Sequence, residues 1–307
     1  GLLVLAIGAF QMMLDRGQTL DWFASPEVVA EAMLAGLAFY LFIAHMFTHE
    51  HPFIEPGLFR DRNFSVGLLF IFVVGVVLLA TLALLPPFMQ NLMGYPVVDV
   101  GFLMTPRGVG TMIAMMAVGR LSGRVDVRHT IALGLMLTSL SLWEMTRFNT
   151  DIGGWDIVRT GITQGLGLGF LFVPLSTIAF STLAPRYRNE GTALFSLSRN
   201  IGSSIGISVV MTYLARCAQG NHAAFADYIN PSNLALRQAV EAGAYNLTTP
   251  EGLVGLNAEV SRQAATLAYL QDFRLMMWVT LAALPLILLL RPPVRQKAAS
   301  VVHAAMD

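Results

Sequence analysis

Two patterns in the sequence invite a catalytic reading. Gly202-Ser203-Ser204-Ile205-Gly206 matches the G-x-S-x-G arrangement that presents a nucleophilic serine. That chemistry needs a strand, a sharp turn and a helix to hold the hydroxyl out for attack. Here the pattern lies inside an apolar, helical-reading run with no strand before it. His45, His49, Glu50 and His51 form the second group. Histidines at i and i+4 can share a metal ion on one helix face, but at the edge of an apolar run these read as solvated residues, and no metal is expected. A membrane-embedded enzyme would need acid–base or nucleophilic groups converging at one depth. Nothing beyond these two patterns offers that, so the chain reads as a non-enzyme.

Two arginines are more informative. Arg107 and Arg199 each lie about eight residues into an apolar run, about 12 Å deep at 1.5 Å per residue. An ionisable side chain at such depth is costly and faces a cavity or a partner. Both readings stay open: residues that line a substrate cavity, or structural anchors. Glu144, near the end of the neighbouring run, would either meet a snorkelling Arg107 or sit among headgroups. Gln164, Asn200 and Gln90 are further polar candidates for the cavity.

Glycines supply a third pattern. Gly161, Gly165 and Gly169 recur every four residues, and Gly202 and Gly206 repeat the spacing. Small residues so spaced let helix backbones approach closely in lipid. They serve either static packing or helices that rock and slide during transport.

The elements that must position these residues follow from composition. Of 307 residues, 55% are hydrophobic and 12% charged, against about 25% charged in soluble domains. Mean hydropathy is +0.63. Several apolar runs reach the roughly 20 residues that cross a bilayer, so an all-α integral membrane protein is expected. Net charge is zero, which implies no general attraction to nucleic acid. One cysteine, Cys217, excludes an internal disulfide framework. Apolar segments are expected at 2–14, 27–47, 65–90, 99–118, 130–147, 157–182, 191–213 and 272–291. The first is too short to span alone, so the chain reads as a fragment with its first helix cut. Residues 214–271 break the rhythm as one long polar segment, with helix starts expected at Asn230-Pro231 and Thr249-Pro250.

Charge alternates between the connections. Arg60, Arg62, Arg120, Arg124, Arg128, Arg186, Arg188, Arg291, Arg295 and Lys297 collect on one side. Retention of positive charge places that side in the cytoplasm, with 214–271 outside and 292–307 as a cytoplasmic tail. The most basic turn is Gly119-Arg-Leu-Ser-Gly-Arg-Val-Asp-Val-Arg-His129, between two long apolar runs.

These residues together resemble the C-terminal part of a 14-helix drug:proton antiporter of the major facilitator superfamily, the EmrB/QacA-like group. The basic turn is similar to the superfamily's cytoplasmic motif, usually G-x-L-x-D-R-x-G-R-R. Gly119, Leu121, Arg124 and Arg128 match it, Gly123 stands where aspartate is usual, and Asp126 where the second glycine is usual. Leu14-Asp-Arg-Gly-Gln18 with Asp21-Trp22, Leu85-Pro86 with Gln90, Gly94 and Tyr95, Pro106-Arg107-Gly108, Arg188-Asn-Glu-Gly-Thr192 and Arg199-Asn-Ile-Gly202 continue the resemblance over most of the chain.

The resemblance implies two linker helices over 1–64 and the C-terminal six-helix bundle over 65–291, built as a 3+3 inverted repeat, with the N-terminal half missing. It implies a proton-coupled multidrug efflux antiporter of the bacterial inner membrane, working by alternating access and driven by the proton gradient without a cofactor. Small amphipathic drug-like molecules and protons would be its substrates. A periplasmic adaptor protein and an outer-membrane channel would be partners, with 214–271 as the contact. Gly119, Leu121, Arg124, Asp126 and Arg128 would form a gating loop. The alternative on the same scaffold is export of a specific metabolite, siderophore or lipid.

Overall fold

The structure, a computed structural model, describes residues 1–48, 54–121, 124–230, 232–243 and 246–290. His49, Glu50, His51, Gly123, Pro231, Arg291, Arg295 and Lys297 lie outside the described residues. Among the described residues there is no strand, and the long elements are helices: α1 (Leu2–Gly17), α2 (Pro26–Thr48), α3 (Arg62–Pro87), α4 (Val97–Leu121), α5 (Val127–Met145), α6 (Gly154–Ser181), α7 (Arg188–Asp227), α8 (Leu234–Glu241) and α9 (Pro250–Ala282). Six helical segments are long and apolar enough to cross a membrane, by length and composition, among the described residues.

Helix boundaries follow local chemistry. Asp61 caps α3 by accepting from Phe64 N–H at 2.9 Å. Asp126 caps α5 by accepting from Arg128 N–H at 3.0 Å. Thr249 caps α9 by accepting from Gly252 N–H at 3.2 Å, with Pro250 at the first helical position. Each side-chain oxygen satisfies an amide that the helix start leaves without a partner. The C-terminal end of α3 loosens into a π-turn at Phe88–Leu92 just after Pro86-Pro87, which removes two ladder donors.

Within 214–271, α9 starts at Pro250 with Thr249 as its cap, where the sequence placed a helix start. α7 runs unbroken to Asp227, 40 residues or about 60 Å, well beyond the roughly 30 Å hydrocarbon core. Its extension, Leu214 to Asp227, is alanine-rich and proline-free, so helix propensity carries it on after the apolar run stops. α9 starts 22 residues before the expected span and stops at Ala282, followed by a 3₁₀ turn at Leu284–Leu289. The two extensions pack side by side: Asn221 donates to the Ala264 carbonyl at 3.2 Å, and His222 Nε2 lies 3.0 Å from Asn257 Oδ1.

α4, α6, α3 and α7 pack in that order as an arc. α5 backs α6, and α9 closes the rear against α7, α5 and α3. At one end, Thr182 donates to Asp61 at 2.8 Å and Glu55 N–H donates to Glu190 at 3.2 Å, which brings two basic connections together. At the other end, Phe88, Phe148, Tyr269 and Phe273 form an aromatic cluster with centroids 5.4–6.4 Å apart. α1 and α2 form a hairpin that leans on α7, where Ser204 donates to Gln11 at 2.6 Å and Ser208 to the Leu14 carbonyl at 3.1 Å.

Candidate functional site

The five polar cavity candidates divide between two places. Arg107 is 7% exposed, and its Nη1 and Nη2 are buried without hydrogen-bond partners. Gln164 is 1% exposed and donates to Thr81 of α3 at 3.3 Å, while its own Oε1 is buried without a partner. Arg107 sits at the α4–α6 seam and Gln164 at the α6–α3 seam. A guanidinium without an acceptor and an amide oxygen without a donor are costly when dry, so α6 has unmet hydrogen-bonding capacity on either side, for an anion at Arg107 and for a donor at Gln164.

The α4–α6 seam exists because of the α6 glycines. A Cβ on Gly165 would collide with the Arg107 carbonyl, and one on Gly169 with Ala114 and the Thr111 carbonyl. Gly161 lies against the Arg107 backbone and Cβ. On the opposite face of α6, Gly167 meets Gly134 and Thr138 of α5. Gly202 and Gly206 do the same for α7, where a Cβ would strike the Phe72 and Val76 carbonyls of α3. Backbone-to-backbone approach thus holds α4 on α6, α6 on α5 and α7 on α3.

Arg199 and Asn200 lie elsewhere. Both are exposed on α7. The Arg199 carbonyl packs on Gly75 of α3 and accepts from Ser203 at 2.9 Å. With α6 and α3 between their helices, Arg199 stands at the far end of the arc from Arg107. Gln90 is half-buried in the π-turn that ends α3. Ser203 and Ser204 of the G-x-S-x-G pattern sit mid-helix, and both hydroxyls donate to carbonyls one turn back, Arg199 and Asn200. Glu144 turns away from Arg107 to Arg159 of α6 at 3.6 Å, so the snorkelling pair considered from sequence does not form.

In the basic turn, Gly119 and Leu121 end α4 on an exposed face, and Arg124 N–H donates to the Leu121 carbonyl at 3.0 Å. Asp126 stands where the superfamily motif has glycine, and its carboxylate is the α5 cap. Arg128 keeps a buried Nε without a partner. Among the described residues no ion pair includes Arg124 or Arg128.

One buried acid escaped the sequence reading. Asp272 of α9 is 0% exposed, and neither carboxylate oxygen has a hydrogen-bond partner. By hydropathy it marks only the rim of the last apolar run. The extension of α9 past that rim, packed against α7, turns the rim residue into an interior one.

Comparison with known proteins places this architecture. The chain is 28% identical over 293 residues to the fatty acid resistance protein FarB of Neisseria gonorrhoeae, covering 95% of this chain and 58% of that protein. It is 29% identical over 233 residues to the multidrug export protein EmrB of Escherichia coli K12, covering 76% of this chain and 46% of that protein. The chain thus spans about half the length of the curated relatives it matches. Among solved structures, a bacterial homologue of the human lysosomal transporter Spinster, inward-facing and occupied, superposes with a TM-score of 0.52 at 16% identity, over 93% of this chain and 63% of that one; this likeness concerns the fold. The sequence model of the Major Facilitator Superfamily matches residues 2–207, from the α1–α2 hairpin through the glycine seams of α6 and α7, and the chain belongs to that superfamily.

Proposed function

We propose that the chain is the C-terminal half of a proton-coupled efflux antiporter of the bacterial inner membrane, exporting small amphipathic molecules by alternating access. The observation that carries this reading is Arg107: a nine-tenths buried guanidinium without an acceptor, on the helix at one end of an arc, in a superfamily of transporters. Ionisable groups buried in spans mark substrate or ion pathways. α4 packs mainly on α6 and leaves Phe102, Met112 and Met116 exposed, a face fit for the other half of such a transporter and for an amphipathic guest. The basic connections and the C-terminus would be cytoplasmic, and the 119–129 turn would latch that side through Arg124 and Arg128.

The substrate class we favour is an amphiphile that carries a carboxylate. Arg107 supplies the cation, Gln164 a second polar contact, and the similarity to a fatty acid resistance protein points the same way. This is the specific-lipid form of the export reading; cationic dyes would use the apolar wall without Arg107. The paired extensions of α7 and α9 would be the contact for a periplasmic adaptor protein and an outer-membrane channel.

Efflux from cells tests the assignment. In the full-length transporter at equal membrane levels, Arg107→Ala should lower export of a carboxylated amphiphile by about tenfold or more, since charged hydrogen bonds contribute about 1.5–3 kcal/mol. Arg199→Ala should act on export without this preference for anions. Unchanged export in both variants would remove both arginines from the site.

A further inference from the structure

The α7–α9 seam holds an acid that the substrate pathway does not use. Asp272 sits beside Phe273 of the aromatic cluster, fully buried, with both oxygens unpartnered. Burying an ionised carboxylate without a donor costs several kcal/mol, so this packing suits the neutral, proton-bearing acid. Opening the seam to water suits the ion.

The surroundings of Asp272 are well defined. On α7, Tyr213 lies beside Cys217 and is within electrostatic reach of the carboxylate. On α9, Tyr269 is also within reach, while Arg274 is exposed and acts on Tyr213. α3 carries no titratable side chain after Arg62, and neither the π-turn nor the 3₁₀ turn at Leu284–Leu289 has any. On α5, Glu144 is turned to Arg159, and Arg147, just past the end of α5, stacks over Trp143 at 3.7 Å. Among the described residues no ion pair or hydrogen bond holds Asp272.

A polar line leads outward from it. Tyr213, Cys217 and Asn221 recur every four residues and so share one face of α7. Asn221 also reaches Gln271, next to Asp272, at 3.4 Å. His222 and Asn257 continue the polar seam past the membrane.

We infer that Asp272 is a proton-binding site of the C-terminal bundle, loaded from the outer side along the Tyr213–Cys217–Asn221 face of α7. The step is a simple protonation: the carboxylate takes one proton from the outer water and the seam closes on the neutral acid; reopening returns it. The inference rests on the proton-driven reading above.

The test uses the full-length transporter in proteoliposomes with an imposed pH gradient. Asp272→Asn keeps the shape and removes the titration. Uphill, gradient-driven transport should fall at least tenfold, while exchange of substrate at equal pH stays within about twofold, because exchange needs no net proton. Gradient-driven transport within twofold of the parent would overturn the inference. So would loss of uphill transport and exchange together in a variant that holds its thermal stability.

Infrared pH-difference spectra provide a second measurement should Asp272→Asn fail to fold. The parent should show a protonated-carboxyl band that titrates and that shifts in Asp272→Glu; an unshifted band overturns the inference. If the parent shows no gradient-driven flux at all, the proton-driven reading fails, and the infrared band still reports whether Asp272 takes up the proton.

Discussion

Replacing Gly165 by alanine should damage this protein, although alanine is the better helix former. A Cβ at that position would lie 2.9 Å from the Arg107 carbonyl carbon and 3.0 Å from Thr111 N, with the Arg107 carbonyl oxygen closer still. All three are backbone atoms of α4, which cannot swing aside as a side chain would. Restoring an ordinary contact of 3.4 Å moves α4 outward by roughly 1 Å, in an interior packed as tightly as an organic crystal. Overpacking of this kind costs about 1–3 kcal/mol. At about 2–4 °C per kcal/mol, Tm should fall by roughly 2–12 °C.

Gly108 is the matched control. It lies on α4 beside Arg107, and a Cβ there would meet nothing within 4 Å. Gly108→Ala should be neutral or stabilise by up to about 1 kcal/mol through helix propensity. Thermal unfolding in detergent, followed by tryptophan fluorescence, separates the two. Equal Tm values for Gly165→Ala and Gly108→Ala would refute the close-approach account of the α4–α6 seam.

Further expectations concern the α7–α9 extensions and the surface pairs. Thr249→Ala should lower stability by about 1 kcal/mol through loss of the α9 cap, read as a Tm drop that Thr249→Ser restores. A double-mutant cycle on Glu144 and Arg159 should return a coupling of no more than about 1 kcal/mol, since Arg159 is largely solvated; a larger value would mean the pair is drier than its 55% exposed arginine indicates. Crosslinking of the full-length transporter to a periplasmic adaptor should vanish when residues 216–262 are replaced by a short flexible linker; undiminished crosslinking would move the contact elsewhere.

Much of this architecture was legible because membrane insertion writes itself into composition. Long apolar runs announce α3, α4, α6 and most of α7. The glycine spacing on α6 and α7 is readable for the same reason, since close helix approach in lipid leaves small residues every four positions. Helix length within 214–271 was less legible than the helix start at Pro250. Hydropathy reports where a helix leaves the hydrocarbon, not where its hydrogen bonds stop. The alanine-rich stretch after Leu214 keeps its ladder outside the membrane. Asp272 is peripheral in hydropathy and interior once α9 packs against α7. The divergent fates of Arg107 and Arg199, equally deep in sequence, depend on helix rotation. A nearly uniform apolar run carries too weak a periodicity to set it.

The central claim is that Arg107 serves an anionic amphiphile in a proton-driven exporter. Its most direct test is uptake of a fluorescent carboxylated amphiphile into proteoliposomes bearing the full-length transporter under an imposed pH gradient, with parent, Arg107→Lys and Arg107→Ala compared. The account predicts gradient-dependent uptake in the parent, partial retention in Arg107→Lys, and loss in Arg107→Ala with a cationic dye still carried. Equal uptake of the anion by parent and Arg107→Ala would contradict it.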